Sequence, residues 1–72
     1  MYISTMEIIL NGQNTSLKSN IDNIAKLVTH YDLSPQKVAI ELNKIIIPRE
    51  NYPLTNLKSG DIIELVEFVG GG

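Results

Sequence analysis

The chain contains 72 residues with a formal net charge of −2, and its lack of cysteine excludes disulfides, thiolate metal sites and cysteine nucleophiles. This length predicts one domain with a small core, and the six scattered Lys and Arg residues form no basic cluster of the kind that nucleic-acid binding requires. We expect a cytoplasmic protein without membrane association, because no apolar run approaches the about 20 residues of a membrane span and the start carries Glu7 without a basic leader.

The first predicted element is a β-hairpin. Met6, Ile8 and Leu10 alternate with other residues, which predicts a strand with one apolar face. Asn11 and Gly12 then supply the positive φ values that a two-residue hairpin turn requires. We expect a short return strand over residues 14–18, and an apolar partner for the hairpin, since two strands alone are not stable in water.

A helix is predicted to begin at Ile21. Ser19 and Asn20 are both good N-cap residues, and the spacing from Ser19 to Asp22 matches a capping box. Pro35 prevents the helix from continuing, so it should end near residues 30–32. The apolar residues at helical spacing are Ile21, Ile24, Ala25, Leu27, Val28 and Tyr31.

The chain then returns to strand patterns. Residues 37–42 alternate between apolar and other side chains, which predicts a strand. Asn43 and Lys44 can form a turn, because asparagine tolerates the left-handed region. The apolar residues 45–47 predict a short strand that Pro48 ends.

The last third combines an irregular segment with the longest strand. Residues 49–59 are polar, and we expect Tyr52, Leu54 and Leu57 to attach them to the core. Residues 62–69 predict a final strand, placed centrally and parallel to the first because it is the most apolar. The element order therefore predicts an α+β fold in which one main helix packs across a mixed sheet of four to five strands.

The sequence ends in three glycines, Gly70, Gly71 and Gly72. Glycine lacks a Cβ atom, so we predict a domain over residues 1–69 and a flexible tail over residues 70–72. Residues 69–72 can extend about 13–14 Å, which is enough to enter a narrow active site of another protein. This favours the Gly72 carboxylate as a reacting group, and the alternative is an ordinary frayed terminus.

The side chains predict no catalytic or metal site within the chain. The single histidine, His30, has no partner nucleophile, and one histidine with scattered carboxylates is not a metal-ligand set. Glu64 and Glu67 lie three residues apart on a strand and so point to opposite faces. Together with Val66 and Phe68 they predict a docking surface of apolar anchors with an acidic rim. The alternatives are that the carboxylates are ordinary solvated charges and that Phe68 belongs to the core.

These pieces, in this order, resemble the ThiS family, the sulfur carrier proteins of thiamine biosynthesis. The resemblance is carried by residues 38–43, by residues 46–49 where an apolar pair precedes Pro-Arg, by Tyr52 at an aromatic position, and by residues 57–61 before the last strand and the glycines. Lys44 departs from the pattern, since glycine is common there. The resemblance implies a β-grasp, ubiquitin-like fold over essentially the whole chain.

The resemblance also implies a mechanism. A ThiF-type enzyme would use ATP and Mg²⁺ to adenylate the Gly72 carboxylate, and a donor such as a cysteine desulfurase would supply the sulfur of a thiocarboxylate for a ThiG-type thiazole synthase. The chain would be a carrier that binds no cofactor, rather than an enzyme. The alternatives are the small subunit of molybdopterin synthase, a ubiquitin-like modifier and a β-grasp interaction module.

Overall fold

The computed structural model describes residues 4–68. The elements in chain order are β1 (Thr5–Leu10), β2 (Gln13–Lys18), α1 (Ile24–His30), a 3₁₀ helix (Pro35–Lys37), β3 (Val38–Leu42), β4 (Ile45–Ile46), a second 3₁₀ helix (Arg49–Leu54) and β5 (Ile62–Glu67). They form one five-stranded sheet with strand order β2-β1-β5-β3-β4 and one α-helix against it, which confirms the predicted α+β fold. The predicted tail, Gly70 to Gly72, lies outside the described residues, as does Val69, so the division into domain and tail stays a prediction.

The hairpin of β1 and β2 forms as predicted. The strands pair antiparallel, with Leu10 opposite Gln13 on either side of the turn. Asn11 and Gly12 have φ values of 50° and 80°, the left-handed geometry that a two-residue hairpin turn requires. The register places Met6 and Ile8 on the side of the sheet that packs against the helix, where both are buried.

The last strand lies in the centre of the sheet. β5 pairs parallel with β1 and antiparallel with β3, which confirms the expected central position and the parallel pairing. It ends at Glu67 within the described residues, two residues before the predicted end. Ile63 is completely buried, because this strand has neighbours on both sides and the helix across one face.

The predicted start of the helix is wrong. The helix begins at Ile24, and its N-cap is Asn23, whose side chain accepts a hydrogen bond of 2.8 Å from the Lys26 N–H. Ser19 and Asn20 are therefore not N-caps. The backbone around Asn23 pairs instead with a distant segment: Asn23 forms an isolated bridge with Asn56 and the Ile24 N–H donates to the Thr55 carbonyl. The Leu57 N–H also donates to the Asp22 carbonyl, and Asn23 is held extended directly before the helix begins.

The prediction that Leu54 belongs to the core is also wrong. Leu54 is 77% exposed, whereas Tyr52 and Leu57 are buried as expected. The first part of the segment predicted as irregular, Arg49–Leu54, is a 3₁₀ helix, and it places successive side chains on different sides. The core lies between α1 and one side of the sheet, and its buried apolar residues are Met6, Ile8, Leu17, Ile21, Ile24, Leu27, Val28, Val38, Ile40, Tyr52, Leu57 and Ile63.

Candidate functional site

The side of the sheet opposite α1, here called the outer face, carries an apolar strip along β5. Side chains alternate along a strand, so Ile62, Glu64 and Val66 point away from the buried Ile63. Phe68 continues the same side, because its backbone N–H donates to the Lys37 carbonyl and so extends the pairing of β5 with β3. Val66 and Phe68 are 55% and 51% exposed, which shows that Phe68 is not a core residue.

The neighbouring strands broaden this strip. Ala39 of β3 lies opposite Val66, and Glu41 of β3 lies opposite Glu64 on one side and Ile46 of β4 on the other. Ile46 is largely exposed. A shallow depression of about 160 Å³ runs between these side chains, and its lining is Ala39, Ile40, Glu41, Ile46, Glu64 and Val66. The outer face is thus an apolar surface with a pair of carboxylates within it.

The carboxylate pair is electrostatically unfavourable in the free protein. Glu41 and Glu64 are directly opposite on adjacent strands, a position where like charges destabilise a sheet. Within residues 4–68, neither carboxylate has a lysine, arginine or histidine partner, because the ion pairs there join Asp22 to Lys26 and Asp61 to Lys58. A basic group of another protein would relieve this repulsion, so the arrangement suits a basic partner surface.

The four residues predicted as a docking set do not all share one face. Glu64, Val66 and Phe68 lie on the outer face, whereas the register pairs Glu67 with the buried Val38 and so places it on the helix side. Glu67 is nevertheless exposed. The opposite orientation of the two glutamates confirms the prediction made from their spacing, and the docking role of these residues stays a prediction.

The structure contains a buried carboxylate that the sequence did not single out. Asp61, which directly precedes β5, is 2% exposed. Its Oδ1 accepts hydrogen bonds from Asn43 Nδ2 at 3.0 Å and Lys58 Nζ at 2.9 Å, and its Oδ2 accepts one from the Lys58 N–H at 2.8 Å. The indication of this site in the sequence was the polar Lys58-Ser59-Gly60-Asp61 stretch directly before an apolar strand. The contact with Asn43 could not be predicted in the same way, because Asn43 lies far away in the chain.

The environment of Asp61 changes the pKa of its carboxyl group. Burial raises the pKa, but the hydrogen bonds from Asn43 and Lys58 and the Lys58 charge outweigh burial and hold it below its ordinary value of 3.8. Asp61 is therefore ionised at neutral pH. Asn43 in turn accepts from the Ile62 N–H at 2.8 Å, so the carboxylate and the amide together hold the start of β5.

A second asparagine holds the same strand further along. Asn11 Oδ1 accepts from the Leu65 N–H at 2.7 Å, and Asn11 Nδ2 donates to the Leu65 carbonyl at 3.1 Å. Asn11 and Asn43 each have a φ of 50° in the turn of a hairpin, which aims their side chains at the β5 backbone. β5 is thus attached by both hairpins, and it leads towards residues 69–72.

The single histidine lies on the helix side of the sheet, away from the outer face. His30 follows the buried part of α1, is exposed and contacts the ring of Tyr31. Residues 4–68 hold no group of three or more His, Cys, Asp or Glu side chains that could bind a metal ion. Over the same part of the chain, no helix has the length and apolar character needed to cross a membrane.

The sequence matches the model of the ThiS family over residues 6–72. Among similar proteins, the sulfur carrier protein ThiS of Bacillus subtilis is 41% identical over 63 residues, which cover 88% of this chain and 96% of that protein. A thiazole synthase of Paramagnetospirillum magneticum is 30% identical over 67 residues, which cover 93% of this chain but only 20% of the synthase.

A solved structure has the same fold. The crystal structure of the thiamine biosynthesis protein ThiS from Geobacter metallireducens superposes with a TM-score of 0.77 at 29% sequence identity. The match covers 93% of this chain and 100% of that one. Sequence and fold comparisons therefore point to the same group of proteins.

Proposed function

The chain belongs to the ThiS family, and we propose that it is a sulfur carrier of thiamine biosynthesis whose Gly72 carboxylate bears the sulfur. The observation that carries this proposal is the family match, which extends through Gly72. The 41% identity to a sulfur carrier protein over nearly its whole length supports the same role. We propose accordingly that the chain acts in the cytoplasm as a carrier and cosubstrate, not as an enzyme.

The proposed chemistry begins with activation of Gly72. A carboxylate is a poor electrophile, so its oxygen first attacks the α-phosphorus of ATP on a ThiF-type enzyme, and pyrophosphate leaves. In the resulting acyl-adenylate, AMP is a good leaving group. A sulfur nucleophile then displaces AMP. Hydrosulfide would give the thiocarboxylate directly, whereas the persulfide of a donor such as a cysteine desulfurase would give an acyl disulfide, and a thiol would then cleave its S–S bond and release the thiocarboxylate. ATP and Mg²⁺ are held by the partner enzyme in this scheme.

The chain supplies the partner with a surface and a terminus. We propose that the outer face docks on the adenylating enzyme through Val66 and Phe68, with a basic group of the enzyme against Glu41 and Glu64. This placement is supported by the exposure of the apolar pair and by the unpaired carboxylates beside it. Residues 69–72 would then extend from the end of β5 into the active site, while Asn11 and Asn43 hold that strand in position.

We propose that the thiocarboxylate delivers its sulfur to a ThiG-type thiazole synthase. The support is that two thiazole synthases each contain a segment similar to 93% of this chain, at 30% and 36% identity. A carrier-like segment within a synthase sequence suits direct transfer between carrier and synthase.

The proposal is tested by intact mass spectrometry. The protein is incubated with the adenylating enzyme, ATP, Mg²⁺ and a sulfur source, and a fraction should become heavier by the difference between one sulfur and one oxygen atom. The same experiment without ATP is the control. No mass change with an enzyme that is demonstrably active on another carrier would contradict the proposal.

The identity of the reacting group is tested by pyrophosphate exchange. A C-terminal tag displaces the carboxylate by about 3.3–3.6 Å per added residue, and a misplacement of about 1 Å can cost about 100-fold in rate. A tagged chain and Gly72→Val should therefore lose exchange, and Gly71→Val should reduce it, while cleavage of the tag restores it. Normal exchange from the uncleaved tagged chain would show that the carboxylate of Gly72 does not react.

A further inference from the structure

Within residues 4–68 the sheet has one long terminal strand, and β1 separates it from β5. β2 is the terminal strand of the sheet and has six residues, whereas the opposite terminal strand, β4, has two. An edge strand presents backbone groups that can pair with another chain. β2 is therefore the part of this sheet best able to accept an additional strand.

The backbone groups that point outwards from this edge follow from the register. The Ser19 N–H donates to the Ser4 carbonyl, and hydrogen-bonded pairs alternate with other pairs along an antiparallel ladder. The backbones of Asn14, Ser16 and Lys18 therefore point away from β1. The Lys18 carbonyl is already used by the Ile21 N–H at 2.9 Å, which leaves both groups of Asn14 and Ser16 and the N–H of Lys18 for a new strand.

An open groove of about 910 Å³ lies between this edge and the helix. Its apolar lining includes Leu17 of β2, Ile21 and Ala25. Leu17 and Ile21 are buried, and Ala25 is partly buried on α1. An extended peptide paired with β2 would place alternate side chains against this apolar lining, since successive side chains of a strand point to opposite faces.

The charges around the groove are basic, although the whole chain is acidic. Lys18, Lys26 and His30 line the groove, and no aspartate or glutamate does. Lys26 contacts the adjacent Asp22 at 2.9 Å, an exposed ion pair of the kind that contributes little and can rearrange. A second copy of the chain would bring the same basic residues to the interface, so the charges favour an acidic partner.

We propose that β2 and this groove bind an extended, acidic peptide segment of a partner protein, which adds a strand to the sheet. Backbone pairing at Asn14 and Ser16 supplies affinity, and acidic residues flanking an apolar run select for the basic groove. β1 lies between this edge and β5, so a partner bound here leaves Val66 and Phe68 accessible.

The test is an NMR titration of the intact chain with a short synthetic peptide in which valine and isoleucine are flanked by aspartate. We expect the largest amide shifts at Asn14, Ser16 and Lys18 and in α1, and weaker binding as salt is raised. The same peptide with lysine in place of aspartate is the control. Equal binding of both peptides, shifts centred on Val66 and Phe68, or no binding would overturn the proposal.

Three variants separate edge pairing from nonspecific attraction. Lys18→Glu should weaken binding of the acidic peptide by about tenfold, whereas Lys44→Glu, the same change of charge in the β3–β4 turn at the other end of the sheet, should not. Ser16→Pro removes an outward N–H that β1 does not use and should also weaken binding. Lys18→Glu should still acquire sulfur in the mass assay.

Two outcomes would contradict the proposal at this stage. Equal effects of Lys18→Glu and Lys44→Glu would indicate general charge attraction rather than a site. The second outcome is that the free chain dimerises as its concentration rises, that Ser16→Pro abolishes the dimer, and that the peptide does not compete with it. This result would mean that the edge pairs with a second copy of the chain.

Discussion

The two faces of β5 differ in what their side chains do. On the helix side, Ile63 is fully buried and Leu65 is partly buried against the core. On the outer face, Val66 and Phe68 remain about half exposed beside Glu64. One strand thus carries a stabilising surface and an accessible apolar surface, separated only by the alternation of its side chains.

The difference shows how a small chain can keep an accessible apolar surface beside a complete core. The fold needs only one covered face, since a single helix across the sheet buries the core. The other face can then keep apolar residues exposed, together with the opposed Glu41 and Glu64, a pairing of like charges that is unfavourable within a sheet. Stability and proposed docking should therefore respond to different substitutions in the same strand.

The largest expected effect is on the covered face. Ile63→Ala leaves a cavity among fully buried side chains and should lower the free energy of unfolding by about 2–5 kcal/mol. Ile62→Ala is the matched control, because Ile62 is adjacent in sequence but exposed on the outer face. Chemical denaturation measures both, and equal losses would mean that the two faces are not energetically distinct.

The buried carboxylate at the start of β5 should have the next effect. Asp61→Ala removes the acceptor for Lys58 and Asn43 and should cost about 1–3 kcal/mol of unfolding free energy. Because the pKa of Asp61 is lowered on folding, its contribution is present above the ordinary value of 3.8 and is lost as pH falls through the folded pKa.

The acid dependence of stability isolates this contribution. The wild-type protein should lose unfolding free energy below about pH 4, and Asp61→Asn should lose less over the same range. Asp22→Asn is the control, since the hydrogen bond from Lys26 also lowers the pKa of Asp22 but that group is exposed. An unchanged acid slope in Asp61→Asn would refute the assigned role of the carboxylate.

The outer face should respond in binding rather than in stability. Phe68→Ala should weaken binding to the adenylating enzyme by about tenfold, as expected for an apolar anchor, and change the free energy of unfolding by less than about 1 kcal/mol. Leu54→Ala, an exposed apolar residue in the segment beside α1, should leave binding unchanged. Calorimetry with both variants makes the measurement, and normal binding of Phe68→Ala would remove Phe68 from the docking surface.

The smallest effect on stability is expected from deleting the last two glycines. Gly71 and Gly72 have no side chains to bury, so their deletion should change the free energy of unfolding by no more than about 0.5 kcal/mol. The same deletion should abolish sulfur loading in the mass assay. A loss of several kcal/mol in thermal or chemical unfolding would instead mean that the glycines pack against the domain.

Much of the fold could be predicted because its signals are local. Alternating apolar residues predict β1 and β3, and a long apolar run predicts β5. Asn11-Gly12 specifies the first turn through the positive φ values that it tolerates. The central position of β5 also followed from sequence, because its apolar character suits a strand with neighbours on both sides. The resemblance to ThiS proteins was likewise readable from short motifs in order.

Tertiary structure alone decided the features that depend on distant residues. The helix begins at Ile24 rather than Ile21 because the preceding backbone pairs with residues 55–57, and this pairing overrides the local capping signals. Asp61 becomes a buried anion only because the turn at Asn43 brings an amide to it. The outer face and the β2 groove likewise require the strand order, since sequence patterns give the alternation of side chains but not which strands become neighbours.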